Sequence, residues 1–189
     1  MPAIMSHGAI SVHINRIFGF PKGARIRILS YMALHRRTLT RGAKQLRKGR
    51  FSGRNQIYHV SSATHERRPV FATLASGRIL VKAMMHLDQV GCTETLAFVV
   101  MPDHFHWLLQ LTGDRTLSDC VCIAKSGSAR NINTITGERR QIWQSGFHDR
   151  AIRKEEDLAS VARYIIANPL RAGIADSVSR YSLWDAKWL

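Results

Sequence analysis

The 189 residues suffice for one domain of ordinary size with an extension, and not for two full domains. A hydrophobic fraction of 45% is that of a chain with a packed core, which excludes wholesale disorder. Charge is the outlier: 28 Lys and Arg against 13 Asp and Glu, a net +15, point to a polyanionic partner, nucleic acid before an anionic membrane surface. The excess is uneven, since twelve basic residues from Arg16 to Arg54 precede the first acid, Glu66. No apolar run approaches the roughly 18–20 residues of a membrane-spanning helix, so no membrane association is expected. Cys92, Cys120 and Cys122 form no C-x-x-C pair and read as reduced thiols, which suits the cytoplasm.

In chain order, residues 1–45 are interrupted by Gly8, Gly19, Pro21, Gly23 and Gly42 and read as a basic, flexible arm or an upstream extension. A helix over Ile26–Arg37 is conceivable within it, and its acid-free composition is similar to that of a transit peptide. The body is expected over 46–189, entered through the Gly- and Arg-rich LRKGRFSGRNQ. Alternation in IYHVSSAT predicts a strand over 57–64. Leu74, Ile79, Leu80, Ala83, Met84 and Leu87 recur at helical spacing and predict a helix from Thr73 to Val90, stopped by Gly91. TLAFVVM (95–101) reads as a buried strand, Pro102-Asp103 as a tight turn, and HFHWLLQL (104–111) as a second strand. A helix follows over Leu117–Asn133, with Thr116 or Ser118 as N-cap and Asp119 in its first turn. Loop over 137–146, a short strand over 147–152 and a helix from Glu155 to Asn168, ended by Pro169, complete the pattern. The order β-α-β-β-α-β plus a C-terminal helix is that of an α+β, ferredoxin-like antiparallel sheet with helices packed on one face.

Chemistry concentrates in two segments. Period two sends His104, His106, Leu108 and Gln110 to one face of their strand and Phe105, Trp107 and Leu109 to the other. With the apolar side covered by helices, the imidazoles face outward, where two of them can chelate one divalent ion. An H-x-H pair also arises by chance and does not alone define a metal site. In DLASVARYIIANPLR, Leu158, Val161, Ala162, Ile165 and Ile166 form the buried stripe, and Tyr164 and Asn168 stand i,i+4 at its margin. Asn168 can offer an amide oxygen as third ligand, although a core-edge tyrosine followed by an Asn-Pro helix stop has the same appearance. A phenol with a pKa of about 10 needs a cation or base before it is a nucleophile near neutral pH. With a divalent ion polarising a phosphodiester, in-line attack by Tyr164 would leave a phosphotyrosine link and a free hydroxyl, and the strand could be rejoined.

MPDHFHW after the apolar LAFVV, together with ARYIIANPLRAGI, resembles the single-tyrosine transposases with the His-hydrophobic-His signature. More narrowly, LRKGRFS, HERRPVF, WQSGFHDRAIRKEEDL and YSLWDAKWL resemble the bacterial REP-associated tyrosine transposases, over about Leu46–Leu189. The resemblance implies a catalytic domain that cuts single-stranded DNA at repetitive extragenic palindromes folded as hairpins. It also implies a 5′-phosphotyrosine, a 3′-hydroxyl and a Mg2+ or Mn2+ cofactor. Tyr164 matches the nucleophile, His104 and His106 the metal pair, and Asn168 the third, amide-bearing ligand. Residues 1–45 lie outside the resemblance, and Ser61-Ser62 stand where relatives often carry threonines. Either a monomer or a homodimer is compatible with these motifs.

Arg47, Lys48, Arg50 and Arg54 before the first strand, and Arg67 and Arg68 after it, are candidates for phosphate contacts. Trp184 and Trp188 in the terminal YSLWDAKWL are placed to stack on unpaired bases or to dock the tail on the body. His148 is a candidate neighbour of the site or an ordinary surface residue. Two other readings compete: a nucleic-acid binding module of the same fold, and a zinc hydrolase built on H-x-H with Asp103 as its adjacent acid.

Overall fold

The computed structural model describes residues 53–153 and 157–188. The basic arm over 1–45, with Arg47, Lys48 and Arg50, lies outside the described residues. Five strands form one antiparallel sheet: β1 (Ile57–Ala63), β2 (Thr93–Met101), β3 (His104–Leu111), β4 (His148–Ala151) and β5 (Trp184–Ala186), in the order β4-β1-β3-β2-β5. The helices are α1 (Leu74–Gln89), α2 (Leu117–Thr136), α3 (Leu158–Ile166) and the single turn α4 (Asn168–Arg171). Without β5 this is the ferredoxin-like plan expected from the element order, two split β-α-β units sharing one sheet.

Local signals account for most boundaries. Thr73 caps α1 by accepting Ser76 N–H at 3.2 Å, and Gly91, at φ 70°, turns the chain after it. Thr116 and Asp119 form a reciprocal capping box at the start of α2, which ends at Gly137 in the left-handed region. Between β2 and β3, Pro102 and Asp103 make a two-residue turn, because Met101 pairs directly with His104. That turn is tied down from outside: Pro102 C=O accepts Phe71 N–H at 2.9 Å, and Asp103 C=O accepts Thr64 N–H at 2.8 Å.

The two faces of the sheet are covered by different helices. On the Phe105/Trp107/Leu109 face, Trp143 packs edge-on against Phe105 and beside Phe71, and its indole N–H donates to Ser128 on α2 at 3.1 Å. α1 packs beside α2 on this side, as crossover helices must. On the opposite face Ala97, Val99 and Leu108 are also fully buried, and α3, which lies against β2, β3 and β5, is what covers them. The histidine-bearing face is therefore roofed over its β2 side and accessible toward β1 and β4, where His148 and Arg150 are exposed.

Three elements depart from expectation. β5 pairs with Ala97, Phe98 and Val99 of β2, and a three-residue strand carries no readable periodicity. It is anchored by Tyr181, whose hydroxyl donates to Val100 C=O at 2.6 Å, and by Leu183, which packs so closely on α1 that a Cβ at Gly77 would stand 2.3 Å from its Cδ1. α3 runs from Leu158, with Asp157 as N-cap accepting Ala159 N–H at 3.0 Å, and Glu155, the expected start, lies outside the described residues. Pro169 does not end the helical run but sits in the first turn of α4, where a missing N–H costs no hydrogen bond.

Candidate functional site: a histidine pair beside a tyrosine-bearing helix

Antiparallel pairing sets one row of side chains across the sheet: His148 on β4, Ser61 on β1, His106 on β3, Val99 on β2 and Trp184 on β5. The adjacent row holds Arg150, His59, Leu108 and Ala97. His104 and His106 leave the same face of β3 as expected, their ring centroids 5.1 Å apart and nearly perpendicular. Both are half-buried. Burial, then the neighbouring His104, His59, Arg171 and Arg67, pushes the His106 pKa down to about 2. Burial, with Arg150 adding to it, lowers that of His59 to about 4. These two rings are thus neutral near pH 7, the state in which an imidazole has a lone pair for a cation.

Each ring has a partner at Nδ1. Asp103 Oδ1 lies 2.6 Å from His104 Nδ1, while Asp103 Oδ2 takes a hydrogen bond from Arg67 Nη1 at 3.1 Å. His106 Nδ1 faces His59 Nε2 at 3.1 Å. Asp103, adjacent to the pair in sequence, is thus engaged with His104 and Arg67.

Tyr164 projects from α3 with 58% of its surface exposed. Arg171 ties it to Asn168: its guanidinium carbon lies 3.9 Å from the phenol ring centroid, Nη1 donates to Tyr164 C=O at 2.9 Å, and Nη2 donates to Asn168 Oδ1 at 2.8 Å. Asn168 Nδ2 donates to Ile165 C=O at 2.7 Å, which fixes the amide's orientation. The positive charge of Arg171 adds to the lowering of the His106 pKa, and α3 packs against β3, the strand that carries both histidines.

His104 and His106 present two imidazoles on one face of β3, nitrogen donors of the kind a divalent cation takes. Among the described residues no group of three or more His, Cys, Asp and Glu is arranged to hold a metal.

The remaining candidates are placed individually. Arg54 is exposed ahead of β1. Arg67 is paired to Asp103, and Arg68 to Glu66 at 2.5 Å. Trp184 is half-buried in β5, its indole N–H donated to Val178 C=O at 2.8 Å, and Trp188 is 43% exposed. His148 is exposed in the row of His106, two strands away. Sequence reading singled out neither His59 nor Arg171. Alternation in IYHVSS places His59 with Ser61 on one face, but only the β1–β3 register brings it beside His106.

Fold and site together define a class: a ferredoxin-like sheet whose histidine pair is flanked by a tyrosine-bearing C-terminal helix. A family model of IS200-like transposases matches residues 52–168, well over half of the chain, and the chain belongs to that family, one of enzymes that cut and rejoin DNA. It is 32% identical over 95 residues to a Haemophilus influenzae protein assigned as a REP-associated tyrosine transposase, the match covering 45% of this chain and 54% of that one. The chain thus spans about half the length of this curated relative. Among solved structures, a REP-associated tyrosine transposase bound to a REP hairpin superposes with a TM-score of 0.60 at 25% identity, covering 71% of this chain and 79% of that one.

Proposed function

We propose that the protein cuts and rejoins single-stranded DNA at palindromic repeats folded as hairpins, with Tyr164 as nucleophile. The observation that carries this reading is the packing of α3, which bears the exposed Tyr164, against β2 and β3 on the face that carries His104 and His106. Tyr164 Oη attacks phosphorus in line, the new O–P bond forms as the bond to the 3′-oxygen breaks, and that oxygen leaves as a 3′-hydroxyl. The phenol proton passes to solvent at this exposed position. A 5′-phosphotyrosine conserves the energy of the phosphodiester, so a 3′-hydroxyl can attack it and release Tyr164 with the strand rejoined.

His104, His106 and the Asn168 amide oxygen would hold Mg2+ or Mn2+, which supplies charge neutralisation at the phosphate when bound. Hard amide and phosphate oxygens suit these ions, while the imidazoles would also accept zinc or nickel. Asn168 would first have to release its oxygen from Arg171, and DNA phosphate offers that guanidinium an alternative partner. The solved relative's REP hairpin supports a hairpin substrate for this chain. Such a substrate would place the protein with the bacterial nucleoid in the cytoplasm.

The test is single-turnover cleavage of labelled single-stranded hairpin oligonucleotides with manganese or chelator. Cleavage should require the metal and be lost in His104→Ala and His106→Ala. Strand binding without metal-dependent cleavage under any of these conditions would leave a binding module of this fold as the better description.

A further inference from the structure

Asp103 is 4% exposed, yet carries a carboxylate. Its two oxygens are divided between His104 Nδ1, at 2.6 Å, and Arg67 Nη1, at 3.1 Å. Glu66 and Arg67 are consecutive non-glycine residues in the left-handed region, at φ 55° and 56°, a conformation L side chains disfavour. The turn that imposes it is held by Thr64, whose hydroxyl bonds with Arg68 C=O at 2.7 Å and Asp103 C=O at 3.0 Å. A strained turn thus delivers Arg67 to a buried carboxylate, which in turn grips His104. On the other ring, His59 reaches across from β1 to place its Nε2 3.1 Å from His106 Nδ1.

We propose that Asp103 and His59 are positioning residues that hold Nδ1–H of His104 and His106 respectively and so put the lone pair of each ring at Nε2, with Arg67 anchoring Asp103. This rests on the reading of the two histidines as the metal pair and adds what sets their tautomers. For His104, the donor is decided by competing contacts. A carboxylate only accepts and a guanidinium only donates. The carboxylate contact is short and charge-assisted, whereas Arg67 Nη1 lies 3.4 Å from the same ring nitrogen. Nδ1 therefore carries the hydrogen, and the lone pair of that tautomer lies at Nε2. For the other pair, one nitrogen of the 3.1 Å contact must donate. If His59 donated, His106 Nδ1 would be the acceptor, its hydrogen would sit at Nε2, and that nitrogen could not ligate. With His106 as donor, both rings present the same nitrogen, the arrangement in which a partner on the second nitrogen raises ligand basicity. Arg67 would then serve the metal pair rather than grip DNA directly.

Long-range 1H–15N spectra of the histidines in the metal-free protein report the tautomers directly, and manganese titration of the same variants reports the consequence. His104 and His106 should both be Nδ1–H in the wild type. Asp103→Ala should release His104 to a mixture dominated by Nε2–H, and His59→Phe should do the same to His106. Each should weaken manganese binding by about 10- to 100-fold. Asp103→Asn and His59→Gln keep a carbonyl oxygen for Nδ1–H and should restore both tautomer and most of the affinity. If Asp103→Ala does not fold, the wild-type and Asp103→Asn spectra still decide. Nε2–H rings in the wild type would overturn the proposal. So would wild-type affinity in Asp103→Ala and His59→Phe while His104→Ala and His106→Ala lose the ion. Undiminished affinity in the last two variants would instead overturn the metal reading itself, and this proposal with it.

Discussion

Lowering the pH should destabilise the metal-free protein through His59 and His106. Their folded-state pKa values, about 4 and about 2, lie below the ordinary 6.5 chiefly because burial disfavours the charged ring. The unfolded chain takes up protons as pH falls through 6.5, while the folded protein does not until near 4 and 2. Stability therefore rises with pH across that window: it is fully present above 6.5 and is lost as pH falls toward the folded values. Each group contributes a slope approaching 1.4 kcal/mol per pH unit, or about 2 kcal/mol between pH 7 and 5. Together the pair represents a sizeable part of the roughly 5–15 kcal/mol that holds a domain folded. Urea unfolding at pH 7 and pH 5, with chelator present, measures this directly. Carboxylates add their own pH dependence, so the informative quantity is the difference from His59→Gln and His106→Gln, each of which should remove about 2 kcal/mol of the pH 7-to-5 change. Equal pH dependence in wild type and both variants would refute the burial argument and with it the neutral state assigned to these rings.

Other outcomes follow from the same geometry. Tyr164→Phe removes one oxygen from an exposed side chain, so unfolding should shift by less than about 0.5 kcal/mol while single-turnover cleavage disappears and hairpin affinity persists. Arg171→Ala frees the Tyr164 ring and the Asn168 amide at once, and misplacement of a reacting group by about 1 Å costs on the order of 100-fold. The rate at saturating DNA should fall accordingly, and Arg171→Lys should not restore it, because the two contacts need a planar fork. Deleting residues 1–45 removes eight basic residues, from Arg16 to Lys44. Non-specific affinity should then fall less steeply with salt, by about 0.7–0.9 in logarithmic slope per lost phosphate contact. Cleavage of a saturating hairpin should persist, measured by single turnover; a folded truncation unable to cut would place the arm in the active site.

What could be read from the residues alone was whatever local rules control. The helical spacing from Leu74 to Leu87, the stop at Gly91, the cap at Thr116 or Ser118 and the alternation of HFHWLLQL sufficed to place α1, α2 and β3, and with β3 the common face of His104 and His106. Long-range pairing was not legible. β5 exists because Trp184–Ala186 meets the free edge of β2, a tertiary fact with no local signature. The same holds around the site: His59 reaches His106 only through the β1–β3 register, and Arg67 reaches Asp103 only because a turn enters the left-handed region. Pro169 was misleading because its effect depends on whether it falls within a helix or in the first turn of the next one.

The central claim is that Tyr164 becomes covalently joined to DNA. Incubating the protein with manganese and a single-stranded hairpin oligonucleotide, then digesting it and mapping the nucleotide-bearing peptide by mass spectrometry, tests this most directly. A 5′-phosphonucleotide should appear on Tyr164 and on no other residue, with an equal yield of 3′-hydroxyl ends. Cleaved strands bearing free 5′-phosphates, with Tyr164 unmodified at every time point, would contradict it.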